Sequence, residues 1–203
     1  RGHIKALSEM GVDAIFYPCM SYNIDEHLGD NHYNCPVVAT YSEVIKNSVP
    51  ELRRNVKFMN PFLPIFHKKR MGERLYEEFT KEFPDGGFTK EEIVSALDKA
   101  YAEDEAFKAE MHRKGEETVK FLEENGKSGI VLAGRPYHID PEINHGIHKL
   151  IASLGFAVIT EDSVAMKVDT PALDVLNQWT YHSRLYRAAE YVCENDDMQL
   201  YAL

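Results

Sequence analysis

The densest gathering of groups able to bind anions or move protons lies between Arg135 and His145. Arg135 offers a planar, permanently charged fork suited to a carboxylate or a phosphate. His138 titrates near neutrality and can act as acid or base, and Tyr137 sets a phenolic hydroxyl beside it. Arg135, Tyr137 and His138 are therefore the candidate catalytic residues. Arg135, Glu142, Asn144 and His145 are the candidate substrate-binding residues. A helix starting at Pro141 would add partial positive charge favourable to an anion, whereas Asp140 and Glu142 oppose it. The alternative is a capped helix after a hydrogen-bonded loop. A hydrolase with His138 as base has no visible nucleophile, because no G-x-S-x-G elbow is present. Glycine-rich dinucleotide and P-loop patterns are absent too.

Cys19 and Cys35 form a second candidate pair, each read as lying at a strand end. Thiolates held at strand ends suit iron–sulfur ligation. A free cysteine is equally at home as a small buried hydrophobe, and without a tight CxxC spacing both readings stay open. Cys193 falls on the apolar side of a late helix and reads as buried. The loop from Asp25 to His32 carries carboxylates with His27 and His32, a divalent-metal alternative that no helical His pairing supports.

These residues need a frame. Gly129 to Asp162 reads as strand, polar loop, helix, strand. Ile130–Ala133 is a short apolar run of the kind buried on both sheet faces. Asp140 and Pro141 suit the N-cap and first turn of a helix. Ile143, Ile147, Leu150, Ile151 and Leu154 share one helical face. Gly155 stops that helix, and Phe156–Thr160 is the second strand of a parallel βαβ unit. Ligands of such sheets bind beyond the strand C-termini, where the Arg135–His145 cluster lies.

The first sixty-odd residues have a similar cadence. A helix from His3 to Met10 is closed by Gly11, and Ala14–Tyr17 is a strand. A polar loop runs from Ser21 to Asn34. Cys35–Ala39 reads as a strand, followed by a helix from Thr40 that fades before Pro50. Val56–Met59 is a further strand. The middle lacks β signals: an amphipathic helix spans Met71–Phe83, and a turn follows over Pro84–Gly87. A capping box at Thr89–Glu92 then opens a long helix to about Glu124. Beyond the βαβ unit come a loop over Ser163–Asp169, a helix starting at Thr170–Pro171, a helix over Tyr181–Glu194 and a strand over Met198–Leu203. The expected organisation is a first α/β lobe over residues 1–66, a helical bridge over 67–127 and a second α/β lobe over 128–203.

With 44% hydrophobic and 28% charged residues, the chain has the balance of an ordinary globular protein. A net charge of −10 argues against nucleic-acid partners. No apolar run is long enough to span a bilayer. Three cysteines in 203 residues do not make a disulfide scaffold and point to a reducing, cytoplasmic setting. The chain starts at Arg1 and ends in a strand-like run, so it reads as a segment of a longer protein.

Three runs carry a resemblance: FYPC at Phe16–Cys19, NHYNCPVVATYSEVIK at Asn31–Lys46, and AGRPYHIDPEINHG at Ala133–Gly146. Together they resemble the CoA-substrate-specific enzyme activase family, in the region after its ATP-binding modules. That region is similar in layout to subunits of 2-hydroxyacyl-CoA dehydratases such as 2-hydroxyglutaryl-CoA dehydratase. The resemblance implies two Rossmann- or flavodoxin-like lobes in an oxygen-sensitive cytoplasmic protein of anaerobes. It implies a 4Fe–4S-type cluster in the full-length protein, with Cys19 and Cys35 as candidate ligands, passing electrons to a CoA-thioester reaction. It also implies an ATP-binding activase domain, in the same or a partner chain, and an acyl-CoA as partners. The alternative is a non-catalytic ligand-binding or docking module of a larger activase protein, with no cluster of its own.

Overall fold

The computed structural model describes residues 1–53 and 56–202. The chain folds as α/β with small parallel sheets and forms two compact units. One contains Arg1–Asp25 and His32–Ala102; the other contains Glu26–Asn31 and the chain from Glu103 onward. The chain thus enters the second unit briefly after Asp25 before returning to the first.

The first unit holds α1 (Gly2–Glu9), β1 (Ala14–Phe16), α2 (Pro36–Ser48), β2 (Lys57–Met59), α3 (Lys68–Glu82) and the start of α4 (Lys90–Asn125). β1 and β2 pair in parallel, with Ala14 opposite Lys57 and Phe16 opposite Met59. Ile4, Ile15, Ile45, Val49 and Leu52 form the core beneath them. The strand expected over Cys35–Ala39 is instead the first turn of α2, with Cys35 as its N-cap residue. Pro36 decides this: its fixed φ and missing N–H suit the first helical turn. The buried residues Ala39, Ser42 and Ile45 then recur every third position, a helical rather than a strand period.

α3 and α4 follow the expected pattern. The capping box forms: the Thr89 N–H donates to Glu92 Oε2 at 3.1 Å, and the Glu92 N–H donates to Thr89 Oγ1 at 3.2 Å. The Thr89 hydroxyl also donates to Glu92 Oε2 at 2.9 Å, and this bond first, then that from the Thr89 N–H, holds the Glu92 carboxyl below its usual range. The exposed face of α4 is laced by pairs such as Lys108–Asp104 at 2.7 Å, as expected of a solvated helix.

In the second unit the order is β3 (Gly129–Ala133), α5 (Ile147–Ser153), β4 (Ala157–Thr160), α6 (Glu161–Val164), α7 (Thr180–Cys193) and β5 (Met198–Ala202). The sheet order is β4–β3–β5, all parallel. Central β3 reads as an unbroken apolar run because neighbours cover both of its faces. Val131 and Leu132 are fully buried, and Val119, Leu122, Ile159, Val164, Ala188, Tyr191 and Met198 complete the core around Val131. Gly155 ends the α5 segment at φ +92°, a conformation that strains any side chain.

Five expectations change here. The loop expected over Ser163–Asp169 is instead the end of α6 and a 3₁₀ turn over Ala165–Lys167. α5 starts at Ile147, not at Pro141. Asp140 still caps, its Oδ1 accepting from the Glu142 and Ile143 N–H groups at 2.9 and 3.2 Å. However, Asn144 Oδ1 takes the Gly146 N–H at 2.9 Å, and His145 adopts φ +52°, so local side-chain bonds displace the helix there. The apolar stripe also divides: Ile151 is buried while Ile143, Leu150 and Leu154 are exposed. Residues 170–179 contain no helix, and α7 begins at Thr180. Cys193 closes α7 on its exposed side rather than in the core. The last strand forms over Met198–Ala202, and Leu203 lies outside the described residues.

Candidate functional site

The C-terminal edge of the β4–β3–β5 sheet collects the second unit's polar groups. Buried polar residues are more telling than exposed ones, and Asn144, Glu161, Thr180 and Ser183 are all buried in this unit. Arg135 follows β3 and Glu161 follows β4. Parallel register sets Thr160 beside Leu132, so Glu161 comes level with Ala133.

Gly134 makes the turn out of β3 possible. A β-carbon there would fall 2.5 Å from His138 Nδ1. The close approach lets the Arg135 N–H donate to His138 Nδ1 at 3.0 Å, while the His138 N–H donates to the Arg135 carbonyl at 2.8 Å. Nδ1 is therefore an acceptor, and the neutral ring carries its proton on Nε2. Tyr137 stands edge-on to this ring at 4.5 Å. The candidate trio is thus brought together by one short 3₁₀ turn, Pro136–Ile139.

Arg135 reaches the start of α7. Its guanidinium carbon lies 5.9 Å from the Trp179 ring centre, a cation–π arrangement. Trp179 stacks on His182 at 5.0 Å, and His182 faces Tyr186 at 6.5 Å. Burial, and then the Arg135 charge, hold the His182 pKa below its usual value. Among the described residues Arg135 has no carboxylate partner.

Asn144 is 4% exposed. Its Oδ1 meets the Gly146 N–H and lies 3.2 Å from His148 Nδ1, while its Nδ2 is buried without a partner. The Gly146 donor fixes which end of the amide is oxygen. Glu142 and His145, the other binding candidates, are exposed.

Glu161 was not singled out by its sequence, nor were Trp179, His182 and Arg184. Glu161 is 4% exposed, and burial, then the Asp162 charge, push its carboxyl up to about 7. The Arg184 charge acts in the opposite direction. Arg184 itself is clamped by Glu26, its Nε donating to Oε2 at 2.9 Å and its Nη2 to Oε1. The available signals were the position of Glu161 directly after a strand and the presence of a single tryptophan in the chain.

In the first unit, Cys19 is fully buried, its Sγ 2.8 Å from Ser42 Oγ. Its N–H donates to the Pro61 carbonyl and its carbonyl accepts from Leu63, extending the β1–β2 pairing beyond the strands. Cys35 is half-buried at the α2 N-cap. In the Asp25–His32 loop, His32 Nδ1 and Asp25 Oδ2 approach to 3.8 Å. Among the described residues no group of three or more His, Cys, Asp or Glu could hold a metal ion. A four-thiolate cluster does not fit this donor set: the chain has three cysteines, with Cys193 exposed in the other unit.

No helix among the described residues is long and apolar enough to cross a membrane. No curated protein and no solved structure matches the chain. The model of the CoA enzyme activase uncharacterised domain matches residues 1–164, a stretch that takes in Cys19, Arg135, His138 and Glu161 but stops before Trp179. The chain belongs to the CoA enzyme activase uncharacterised domain family.

Proposed function

We propose that the chain is a ligand-binding module of a CoA enzyme activase system, taking an anionic ligand at the C-terminal edge of its three-stranded sheet. The observation that carries this reading is Arg135, a guanidinium without a carboxylate partner among the described residues, backed by the Trp179 face. Arg135 grips the anion, His138 offers an Nε2 proton beside it, and Asn144 contributes an amide hydrogen. Family membership favours an acyl-CoA, whose phosphates and thioester carbonyl supply the matching acceptors. The parallel strands support reading each unit as a Rossmann- or flavodoxin-like lobe, and the free cysteines suit a reducing cytoplasm. An ATP-binding activase domain is the natural partner.

The test is calorimetric titration of the chain with acetyl-CoA, coenzyme A and inorganic phosphate. Saturable acetyl-CoA binding, weakened about tenfold or more by Arg135→Ala, is expected for loss of a charge-assisted bond. Binding that ignores Arg135→Ala overturns the reading.

The redox reading is a second proposal, supported by family membership and by the strand-end position of Cys19. It requires thiolates from outside residues 1–203 in addition to Cys19 and Cys35. Iron and sulfide content after anaerobic reconstitution, compared with Cys19→Ser, tests it; equal iron in both removes Cys19 from the ligand set.

A further inference from the structure

The first unit contains a cavity of about 250 Å³ outside the site described above, lined by Cys19, Ser21, Tyr22, Phe62, Leu63, Pro64, Phe66, Arg70 and Arg74. We infer that it binds a small planar carboxylate, ring inward and carboxylate on Arg70.

The floor asks for an apolar body. The Cys19 N–H and carbonyl are both taken by the neighbouring strand-like segment, and its Sγ faces Ser42. No polar atom of Cys19 is left needing a partner, so an apolar group can lie there without stranding a donor or acceptor. The walls ask for a flat one. Tyr22 and Phe66 meet edge-on at 5.3 Å, and Phe62 completes the aromatic lining. Such rings prefer another ring set edge-on or offset against them. Phe62 and Phe66 are about half exposed, so the apolar lining opens to solvent instead of closing on itself.

The rim asks for one negative charge. Two guanidiniums stand there, but Arg74 is already held by Glu77 and Glu78, each at 2.7 Å. Arg70 makes no ion pair among the described residues; its backbone N–H donates to His67 Nδ1 at 3.4 Å. One unopposed planar fork matches one carboxylate in bidentate geometry, whereas a phosphate dianion would call for more positive charge. Size settles the scale. The volume lies just under the roughly 300–1,000 Å³ of drug-sized sites, which admits a single ring and excludes a whole coenzyme A. This site shares no lining residue with the anion site at Arg135.

The test uses the full chain and benzoate, followed by ¹H–¹⁵N chemical-shift mapping and saturation-transfer difference spectra. Benzoate is expected to shift the amides of residues 19–22, 62, 63, 65, 66 and 70, and to receive saturation on its ring protons. Arg70→Ala should weaken binding about tenfold, and Arg70→Lys should restore it only in part. Arg70 is exposed, so neither variant threatens folding. Acetate tests the anion alone and benzyl alcohol the ring alone; both should bind more weakly than benzoate. The inference is overturned if benzoate shifts none of these amides, if acetate binds equally well, or if Arg70→Ala binds benzoate unchanged. Coenzyme A perturbing the same residues would overturn the size argument.

Discussion

The two units set parallel strands side by side and let loops spring from the strand C-terminal ends, but they treat those ends in opposite ways. Beyond β1 the first unit buries a neutral contact, Cys19 against Ser42, surrounded by aromatic rings. Beyond β3 and β4 the second unit buries or half-buries charge: Arg135, Glu161 and the Arg184–Glu26 pair. Neutral contacts tolerate burial cheaply, while a buried ionisable group needs a partner, as Arg184 has in Glu26, or favours its neutral form, as the raised pKa of Glu161 shows. The first arrangement leaves its charge to the rim at Arg70. The second brings a buried carboxyl and a half-buried guanidinium to one sheet edge, so charge there lies close to the strands.

The largest expected break in this contrast comes from Glu161. Its folded pKa is raised, so its contribution is most favourable below the unfolded value and is lost as pH rises through about 7. Glu161→Gln should match the parent near pH 5 and exceed it at pH 8 by up to about 3 kcal/mol. Urea unfolding at the two pH values measures this, and an equal difference at both would show that Glu161 is not the titrating group. Next in size is Glu26→Ala, which strips the partner from Arg184, whose side chain is only 17% exposed. A loss of about 2–3 kcal/mol is expected, below the full penalty of a wholly buried pair because some solvent reaches both groups. A loss under about 0.5 kcal/mol would place the pair among ordinary surface bridges.

The neutral pole of the comparison is sharpened by a double-mutant cycle. Cys19→Ala and Ser42→Ala should each cost about 1–3 kcal/mol, with a coupling of about 1 kcal/mol between them. A coupling near zero would make the 2.8 Å approach mere packing.

What could be read from the sequence follows the range of the forces involved. Local signals survived: the capping box at Thr89–Glu92, the stop at Gly155 and the apolar run of β3 all formed as expected. Signals with two local meanings did not. Pro36-Val37-Val38 carries β-branched residues, yet the proline at the first turn and buried residues three apart make it helix. Asp140-Pro141 is a sound cap, but Asn144 and His145 bend the backbone before a helix can start. The Arg135–His138 trio was visible because it is contiguous. Glu161, Trp179, His182 and Arg184 were not, because their chemistry arises from contacts between distant segments: a lone glutamate after a strand reads like any other until burial raises its pKa. Cys35 was misplaced with its strand.

The smallest effect on stability, and the sharpest on the site, is expected from Arg135→Ala. Arg135 is half-buried without an ion pair, so its removal should cost under about 1 kcal/mol, mainly the cation–π contact. The informative readout is His182. Part of the depression of its pKa comes from the Arg135 charge, and the remainder comes from burial. Arg135→Ala should therefore raise the His182 pKa without returning it to the free value, and Arg135→Lys should leave it depressed. Imidazole proton shifts followed from pH 5 to 8 separate these outcomes. A full return would mean that the alanine variant opens His182 to water, so that Arg135 acts by covering Trp179. No movement would mean that the charge lies farther from His182 than the Arg135–Trp179–His182 stack requires, and the anion would then have to be sought nearer His138.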